Sequence, residues 1–159
     1  MPLLIDGAYG LPFPNIVFSQ ATPMWDDNTI VCLSLSKIGL PGVRTGIVVA
    51  NTQVTQAIRG ANAILNLAPS SFGPLLAQQL LNSGQLIDLA ENHIQPYYHS
   101  RLEQAMHWLD VALDGTPYRI HVAEGAFFLW LWLEGLPVSS DVLYQRLKVR
   151  DTLVISGSH

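Results

Sequence analysis

Residues 34–46 have the sequence SLSKIGLPGVRTG, and this stretch decides both the fold and the chemistry of the chain. It overlaps an apolar, β-branched run at residues 29–35, TIVCLSL, which predicts a buried strand. Lys37 comes directly after that strand, where burial of an ammonium group is costly unless the charge is paired or neutralised. An imine with an aldehyde cofactor is one way to remove that charge. The stretch therefore predicts a strand that delivers a reactive amine.

Hydroxyl and guanidinium groups surround this lysine in the sequence. Ser34 and Ser36 lie three and one residues before Lys37, and Arg44 lies seven residues after it, across a Leu-Pro-Gly turn. Such groups donate the hydrogen bonds that hold a phosphate. They predict an anion site beside the amine.

A carboxylate and a phenol come after an earlier strand. Residues 2–5, PLLI, are a short apolar run that predicts this strand, and Asp6 and Tyr9 come after it, in a Gly- and Pro-rich loop. Pyridoxal phosphate needs an amine for its aldehyde, an anion site for its phosphate and a carboxylate beside its pyridine nitrogen. Asp6 offers that carboxylate, and the phenol of Tyr9 can hydrogen-bond the oxygen on the cofactor ring.

Together, the patterns D-x-x-Y and S-x-S-K…PG-x-R-x-G resemble the fold-type I, aspartate aminotransferase-like enzymes that use pyridoxal 5′-phosphate. Within that family, the wording of residues 5–16, 34–50, 124–137 and 142–150 resembles most the enzymes that transaminate between valine and pyruvate. The resemblance implies an α/β fold in which the chain forms the C-terminal half of such an enzyme. The missing parts would be the earlier half of the large domain and the arginine that grips the substrate carboxylate.

The resemblance also implies a role for each site residue. Lys37 matches the Schiff-base lysine, Asp6 the partner of the pyridine nitrogen, and Tyr9 the phenol on the ring oxygen. The phosphate-side positions are matched by Ser34, Ser36 and Arg44. The implied activity is transamination between an apolar amino acid such as valine and pyruvate, and the resemblance implies that the intact protein is a homodimer. Another fold-type I enzyme, such as a lyase or a decarboxylase, and a catalytically inactive fragment or interaction module remain as alternatives.

Three regions are expected along the chain. Residues 1–92 are the C-terminal part of the large cofactor-binding domain, 93–115 a connecting helix, and 116–159 a truncated small α+β domain. Helices are predicted at residues 52–67, 70–83, 95–113 and 139–148. Further strands are predicted at residues 47–50, 118–122, 126–133 and 152–156.

Composition excludes several classes of protein. Of 159 residues, 49% are apolar and 13% charged, which does not fit a disordered chain. A net charge of −4 without a basic cluster argues against nucleic-acid binding. The longest apolar run, residues 126–133, is far below the roughly 20 residues that span a membrane. Residues 45–87 carry a single charge, Arg59, which predicts that much of this surface is covered in a larger fold.

The remaining polar and aromatic residues give weaker signals. The five histidines include no pair spaced i, i+4, so no metal site is expected. The single cysteine, Cys32, cannot form an internal disulfide, which favours a cytoplasmic location and an inert core position. Trp130 and Trp132 alternate with leucines and predict a strand buried on both sides.

Overall fold

The computed structural model describes residues 2–19, 21–22, 24–67 and 69–158. Its central element is a three-stranded sheet of β1 (Leu3–Gly7), β2 (Thr29–Ser34) and β3 (Gly46–Val49), in that spatial order. β1 runs parallel to β2, and β3 runs antiparallel to it. All three predicted strands are confirmed, with ends that differ by one or two residues.

The sheet is less covered than the sequence predicts. Continuous apolar runs favour strands that are buried on both faces, yet Leu3 is 48% and Leu4 62% exposed, and Val48 and Val49 are exposed as well. β1 is an edge strand, so among the described residues it has a neighbour on one side only. The described elements of this chain therefore bury only part of the apolar side chains of the sheet.

The four predicted helices are confirmed, and a short fifth helix joins them. The helices are α1 (Thr52–Leu65), α2 (Phe72–Asn82), α3 (Gln85–Leu89), α4 (Gln95–Ala112) and α5 (Ser140–Lys148). Asn51 caps α1, as predicted, because its Oδ1 accepts the N–H of Val54 at 2.9 Å. Gly84 and Gly115 have φ values of 74° and 76°, the left-handed conformation expected of glycines that come after helices.

Helical structure continues without interruption from α3 into α4. A single π-helical turn, Ala90–Ile94, joins the two, and Pro96 lies in the first turn of α4 as predicted. The expected boundary between residues 1–92 and 93–115 falls inside this turn, and the three-region division stays a prediction. In the described residues, no helix combines the length and the apolarity that a membrane crossing requires.

The C-terminal part contains less strand than predicted. β4 (Tyr118–Ile120) pairs antiparallel with β5 (Leu131–Leu133), so residues 126–130 of one predicted strand are not part of a strand. Ala126 has φ of 61°, outside the β region, and this breaks the extended run. The prediction of a two-sided buried strand is also wrong, because Trp130 and Trp132 are 63% and 57% exposed.

The strand predicted at residues 152–156 does not form either. A β-branched run needs a neighbouring strand for its backbone hydrogen bonds, and β4 and β5 pair only with each other in the described residues. Leu153 and Ile155 are instead largely exposed, and the Ser156 hydroxyl lies 2.8 Å from that of Ser140.

The main core lies between the end of β2, the loop after β1 and helices α2 and α3. Its buried members are Phe13, Leu33, Leu35, Ile38, Ala77, Leu86 and Ala90. This core holds the turn after β2 in place, and that turn carries the predicted lysine. Cys32, expected in the core, is only half-buried.

Candidate functional site

The predicted site residues lie where two parallel strands end. Asp6 on β1 is level with Cys32 on β2, and both strands run in the same direction. Parallel strands bring their carboxyl ends to one edge of a sheet, where α/β folds place their ligands. The loop with Tyr9 and the turn with Lys37 therefore leave the sheet side by side.

Lys37 lies in a short 3₁₀ turn that two buried side chains anchor. The turn comprises Ser36–Ile38, and Leu35 and Ile38 on either side of Lys37 are 0% and 2% exposed. Gly39 ends the turn with φ of 90°, which a residue without Cβ adopts at little cost. The sequence after β2 thus fixes the backbone of Lys37 while its side chain stays half-buried.

The amine of Lys37 lies over the ring of Tyr9. The Nζ atom is 5.2 Å from the ring centroid, within the range of a cation–π contact. Both side chains are half-buried. This contact brings together two of the residues that the sequence singled out.

Asp6 reaches the same edge but does not touch the lysine. Its carboxylate is exposed, and Oδ1 accepts the N–H of Ala8 at 3.0 Å. Asp6 is paired with Cys32, and Ser34 is two residues further along β2, so Asp6 and Ser34 lie on one face of the sheet. No hydrogen bond or ion pair between Asp6 and Lys37 is present in the described part of the chain.

The predicted phosphate-side residues lie at the end of β2 and in the two turns that follow it. Ser34 Oγ accepts the backbone N–H of Ser36 at 3.1 Å, and this leaves the hydroxyl proton of Ser34 free to donate. Arg44 ends the second turn, Pro41–Val43, with φ of 47° and an exposed side chain. Among the described residues, its guanidinium forms no ion pair with a carboxylate.

Helix α2 packs closely against the turn at Pro41–Val43 and the residues that follow it. A Cβ added to Gly73 would collide with Thr45 Oγ1 and lie 2.9 Å from the Val43 carbonyl oxygen. Thr45 Oγ1 also donates to that carbonyl at 2.9 Å. Only glycine permits this approach of the helix, so Gly73 contributes to the position of Arg44.

Sequence reasoning missed an aromatic cluster next to Tyr9. The ring of Phe127 lies 5.6 Å from that of Tyr9 at 65°, and the ring of Phe128 lies 6.4 Å from it at 74°. Phe127 also packs on Tyr98 of α4 at 5.0 Å. The available signal is the pair of phenylalanines in the EGAFF segment. The sequence analysis instead assigns this pair to the buried strand predicted at residues 126–133.

In the ranges that the structure describes, no three histidine, cysteine, aspartate or glutamate side chains cluster so that they could hold a metal ion. One of the five histidines, His159, lies outside those ranges. The described residues thus place a lysine after β2, a carboxylate on the neighbouring strand β1 and a phenol in the loop that follows β1.

The comparisons place the chain in a family. The sequence profile of the family described as "Aminotransferase class I and II" matches residues 1–157. The chain belongs to this family. The expected α/β, aspartate aminotransferase-like fold is thereby confirmed.

Individual relatives resemble the chain over nearly its whole length. The valine–pyruvate aminotransferase of Escherichia coli K12 is 44% identical over 157 residues, which are 99% of this chain and 38% of that enzyme. The crystal structure of valine–pyruvate aminotransferase from Salmonella typhimurium is 45% identical with a TM-score of 0.89, and the match covers 98% of this chain and 40% of that one. A structure from Psychrobacter arcticum, assigned as an amino-acid aminotransferase, is 50% identical with a TM-score of 0.93, over 98% of this chain and 36% of that one. The chain spans about two fifths of the length of these relatives.

Proposed function

We propose that the chain carries the cofactor lysine of a pyridoxal phosphate-dependent aminotransferase that exchanges an amino group between an apolar amino acid, such as valine, and pyruvate. The observation that carries the proposal is the half-buried amine of Lys37, which lies 5.2 Å from the centroid of the Tyr9 ring. Family membership supports the reaction class. The two valine–pyruvate relatives support the substrate pair.

The chemistry of the residues at this edge fits the cofactor. An aldehyde needs an amine, and Lys37 is one of only two lysines in the chain. The ring needs a hydrogen-bond donor for its oxygen and a carboxylate for its protonated nitrogen, which Tyr9 and Asp6 provide. The phosphate needs hydroxyl and cationic donors, and those available are Ser34, Ser36 and Arg44.

Pyridoxal phosphate, when bound, supplies an aldehyde and an electron-withdrawing ring that stabilises negative charge at the α-carbon of an amino acid. Lys37 would hold the cofactor through its amine, the group that reacts with an aldehyde. When it is not bonded to the cofactor, the amine of Lys37 would remove the proton from the substrate's α-carbon as a general base. The same amine then donates a proton as a general acid.

The other residues hold charge and position. The carboxylate of Asp6 keeps a proton on the pyridine nitrogen, because an adjacent negative charge favours the protonated ring. Tyr9 donates its phenolic proton to the ring oxygen and keeps its ring beside the amine. The hydroxyl of Ser34 and the guanidinium of Arg44 hold the phosphate and so fix the register of the cofactor against Lys37.

The proposal includes a homodimer, which a large exposed apolar surface supports. Ile64, Leu65 and Leu67 are 85%, 80% and 100% exposed around the end of α1, and Phe72 and Leu75 of α2 are 67% and 57% exposed. Large apolar side chains left exposed in such number favour a protein interface. The expectation is that a second subunit covers part of this surface. Analytical ultracentrifugation measures the oligomeric state directly.

The test of the cofactor assignment is spectroscopic. On addition of pyridoxal phosphate, the full chain is expected to develop the visible absorption band of a lysine-linked cofactor. Lys37→Ala is expected to abolish the band, whereas Lys148→Ala, which removes an exposed lysine on α5, is expected to keep it. A band that survives in Lys37→Ala, or its absence from the wild-type chain, would refute the assignment.

A further inference from the structure

We propose that Phe127 is a positioning residue that holds the ring of Tyr9 against the amine of Lys37. It links the C-terminal part of the chain to the edge of the sheet at which β1 and β2 end. The functional importance of this role rests on the proposed function, although the contact itself can be tested without cofactor.

The geometry of three rings carries the proposal. Tyr9 has neighbours of different kinds, because its ring lies 5.2 Å from the Nζ atom of Lys37, 5.6 Å from the ring of Phe127 and 6.4 Å from the ring of Phe128. The rings of Tyr9 and Phe127 meet at 65°, the edge-to-face arrangement that aromatic pairs favour. Phe127 is supported in turn by Tyr98 of α4, at 5.0 Å and 32°. The ring of Phe127 therefore sits between a long helix and the ring beside the lysine.

The backbone around Phe127 is tied to the loop that carries Tyr9. Ala126 donates its N–H to the carbonyl of Ile16 at 2.6 Å, and Gly125 pairs with Val17 in an isolated antiparallel bridge. A Cβ on Gly125 would lie 2.7 Å from the Ile16 carbonyl oxygen, so only glycine permits this approach. The loop closes on itself as well, because Ile16 donates its N–H to the Tyr9 carbonyl at 3.2 Å.

These contacts give Tyr9 a defined place. Its backbone is fixed through Ile16, and its side chain is limited on one side by Phe127. With no ring at position 127, the Tyr9 ring gains room to turn away from Lys37. The ring is needed at this position, so Phe127→Tyr is expected to preserve the contact and Phe127→Leu to weaken it.

The two lysines make the contact measurable by NMR in the full chain without cofactor. Reductive methylation with ¹³C-formaldehyde labels the amines of Lys37 and Lys148, the only lysines, together with the N-terminal amine. The ring current of a nearby aromatic ring changes the chemical shift of methyl protons. The Lys37 signal is therefore expected at a different chemical shift from that of exposed Lys148. Lys37→Arg and Lys148→Arg assign the two signals.

The variants give a direct expectation. Phe127→Leu is expected to move the Lys37 signal toward the position of the Lys148 signal, whereas Phe127→Tyr restores its original position. Trp130→Leu, which removes a 63% exposed ring from the same segment, is the matched control and is expected to leave the Lys37 signal in place. An unchanged Lys37 signal in Phe127→Leu would overturn the proposal.

A double-mutant cycle separates positioning from a general loss of structure. If Phe127 acts through Tyr9, Phe127→Leu has no further effect on the Lys37 signal once Tyr9→Leu has removed the ring. An equal displacement with and without the Tyr9 ring would contradict the proposal. Circular dichroism spectra and unfolding curves identify any variant that does not fold, and Phe127→Tyr then provides the comparison with a ring retained.

The outcome of the cofactor experiment is independent of the outcome of the NMR experiment. If the Lys37 signal responds as expected but the wild-type chain gives no cofactor band, the contact stands and the proposed function is wrong. If the band appears but Phe127→Leu leaves the Lys37 signal unchanged, the proposed function stands and the role of Phe127 is wrong.

Discussion

The Nζ atom of Lys37 lies 5.2 Å from the centroid of the Tyr9 ring, and the two residues leave neighbouring parallel strands at the same edge of the sheet. This contact places a phenol beside the amine on which the proposed cofactor chemistry depends. The consequences for site chemistry and for stability can be measured separately.

Asp6→Asn separates capture of the cofactor from use of it. The amide oxygen can still accept the N–H of Ala8, which Asp6 Oδ1 accepts at 3.0 Å, so the local fold is expected to persist. The loss of negative charge leaves the pyridine nitrogen unprotonated, and proton removal from the substrate's α-carbon is expected to slow on the order of 100-fold or more. Exchange of the α-proton of valine in deuterated water, monitored by NMR, measures this step. An exchange rate equal to that of the wild type would exclude the role assigned to Asp6.

Gly73→Ala tests the packing of α2 beneath the turn that carries Arg44. The new methyl group would collide with Thr45 Oγ1, and such overpacking costs about 1–3 kcal/mol of unfolding free energy. The displaced turn is also expected to weaken the affinity for free phosphate, which competition with pyridoxal phosphate measures.

Gly60→Ala is the matched control, since Gly60 lies within α1 and a Cβ there meets no atom within 4 Å. This change is expected to stabilise the chain by about 0.5–1 kcal/mol through helix propensity. Urea unfolding curves compare the two variants. Equal effects of both changes would show that the contact between Gly73 and Thr45 is not tight.

Asn51→Ala tests the start of α1. Asn51 Oδ1 accepts the N–H of Val54 at 2.9 Å, and Nδ2 donates to the carbonyl of Asp27 at 2.9 Å. Loss of this cap is expected to lower the free energy of unfolding by about 1 kcal/mol. Ser71→Ala is the control, because the side chain of Ser71 forms no capping hydrogen bond at the start of α2. A larger loss in Ser71→Ala than in Asn51→Ala would contradict this assignment.

Asp26 provides a prediction about pH. The Thr29 hydroxyl donates to its Oδ1 at 2.7 Å and the Asn28 N–H donates at 2.8 Å, and these bonds, the Thr29 bond foremost, hold the pKa of Asp26 below its usual value. Because the folded pKa is lower than the unfolded one, the contribution to stability is present above the usual pKa. It is lost as the pH falls through the lowered pKa.

Thr29→Val removes the hydroxyl and keeps the shape of a side chain that is 1% exposed. The pKa of Asp26, measured by NMR titration of its carboxyl carbon, is expected to rise toward its usual value in this variant. A pKa unchanged by the substitution would show that the Thr29 hydroxyl is not the main cause.

The sequence predicts the strands that bring Lys37 and Tyr9 together, because the determinants of those strands are local. Apolar runs define β1 and β2, and parallel strands bring the loops at their carboxyl ends to one edge, so Lys37 and Tyr9 could be expected to lie close together. Phe127 could not be placed in this way, because its contact with Tyr9 depends on the packing of a distant segment through Gly125 and Ile16. Periodicity there favoured a longer strand, which the positive φ of Ala126 interrupts.

Two C-terminal predictions, the strand at residues 152–156 and the buried strand that contains Trp130 and Trp132, failed for a related reason. The run at residues 152–156 has the composition of a strand, but a strand forms only where a partner supplies hydrogen bonds. Alternation at Trp130 and Trp132 likewise shows which residues share a face and not whether anything covers that face. Both questions are decided by neighbours that a local pattern does not contain.

The most direct test of the central claim is covalent capture by the two lysines. The full chain is incubated with pyridoxal phosphate and reduced with borohydride, and the pyridoxyl group on Lys37 and on Lys148 is quantified by peptide mass spectrometry. Strong preference for Lys37 is expected at low cofactor concentration, and Tyr9→Ala is expected to lose that preference. Equal labelling of Lys37 and Lys148 in the wild-type chain would contradict the central claim.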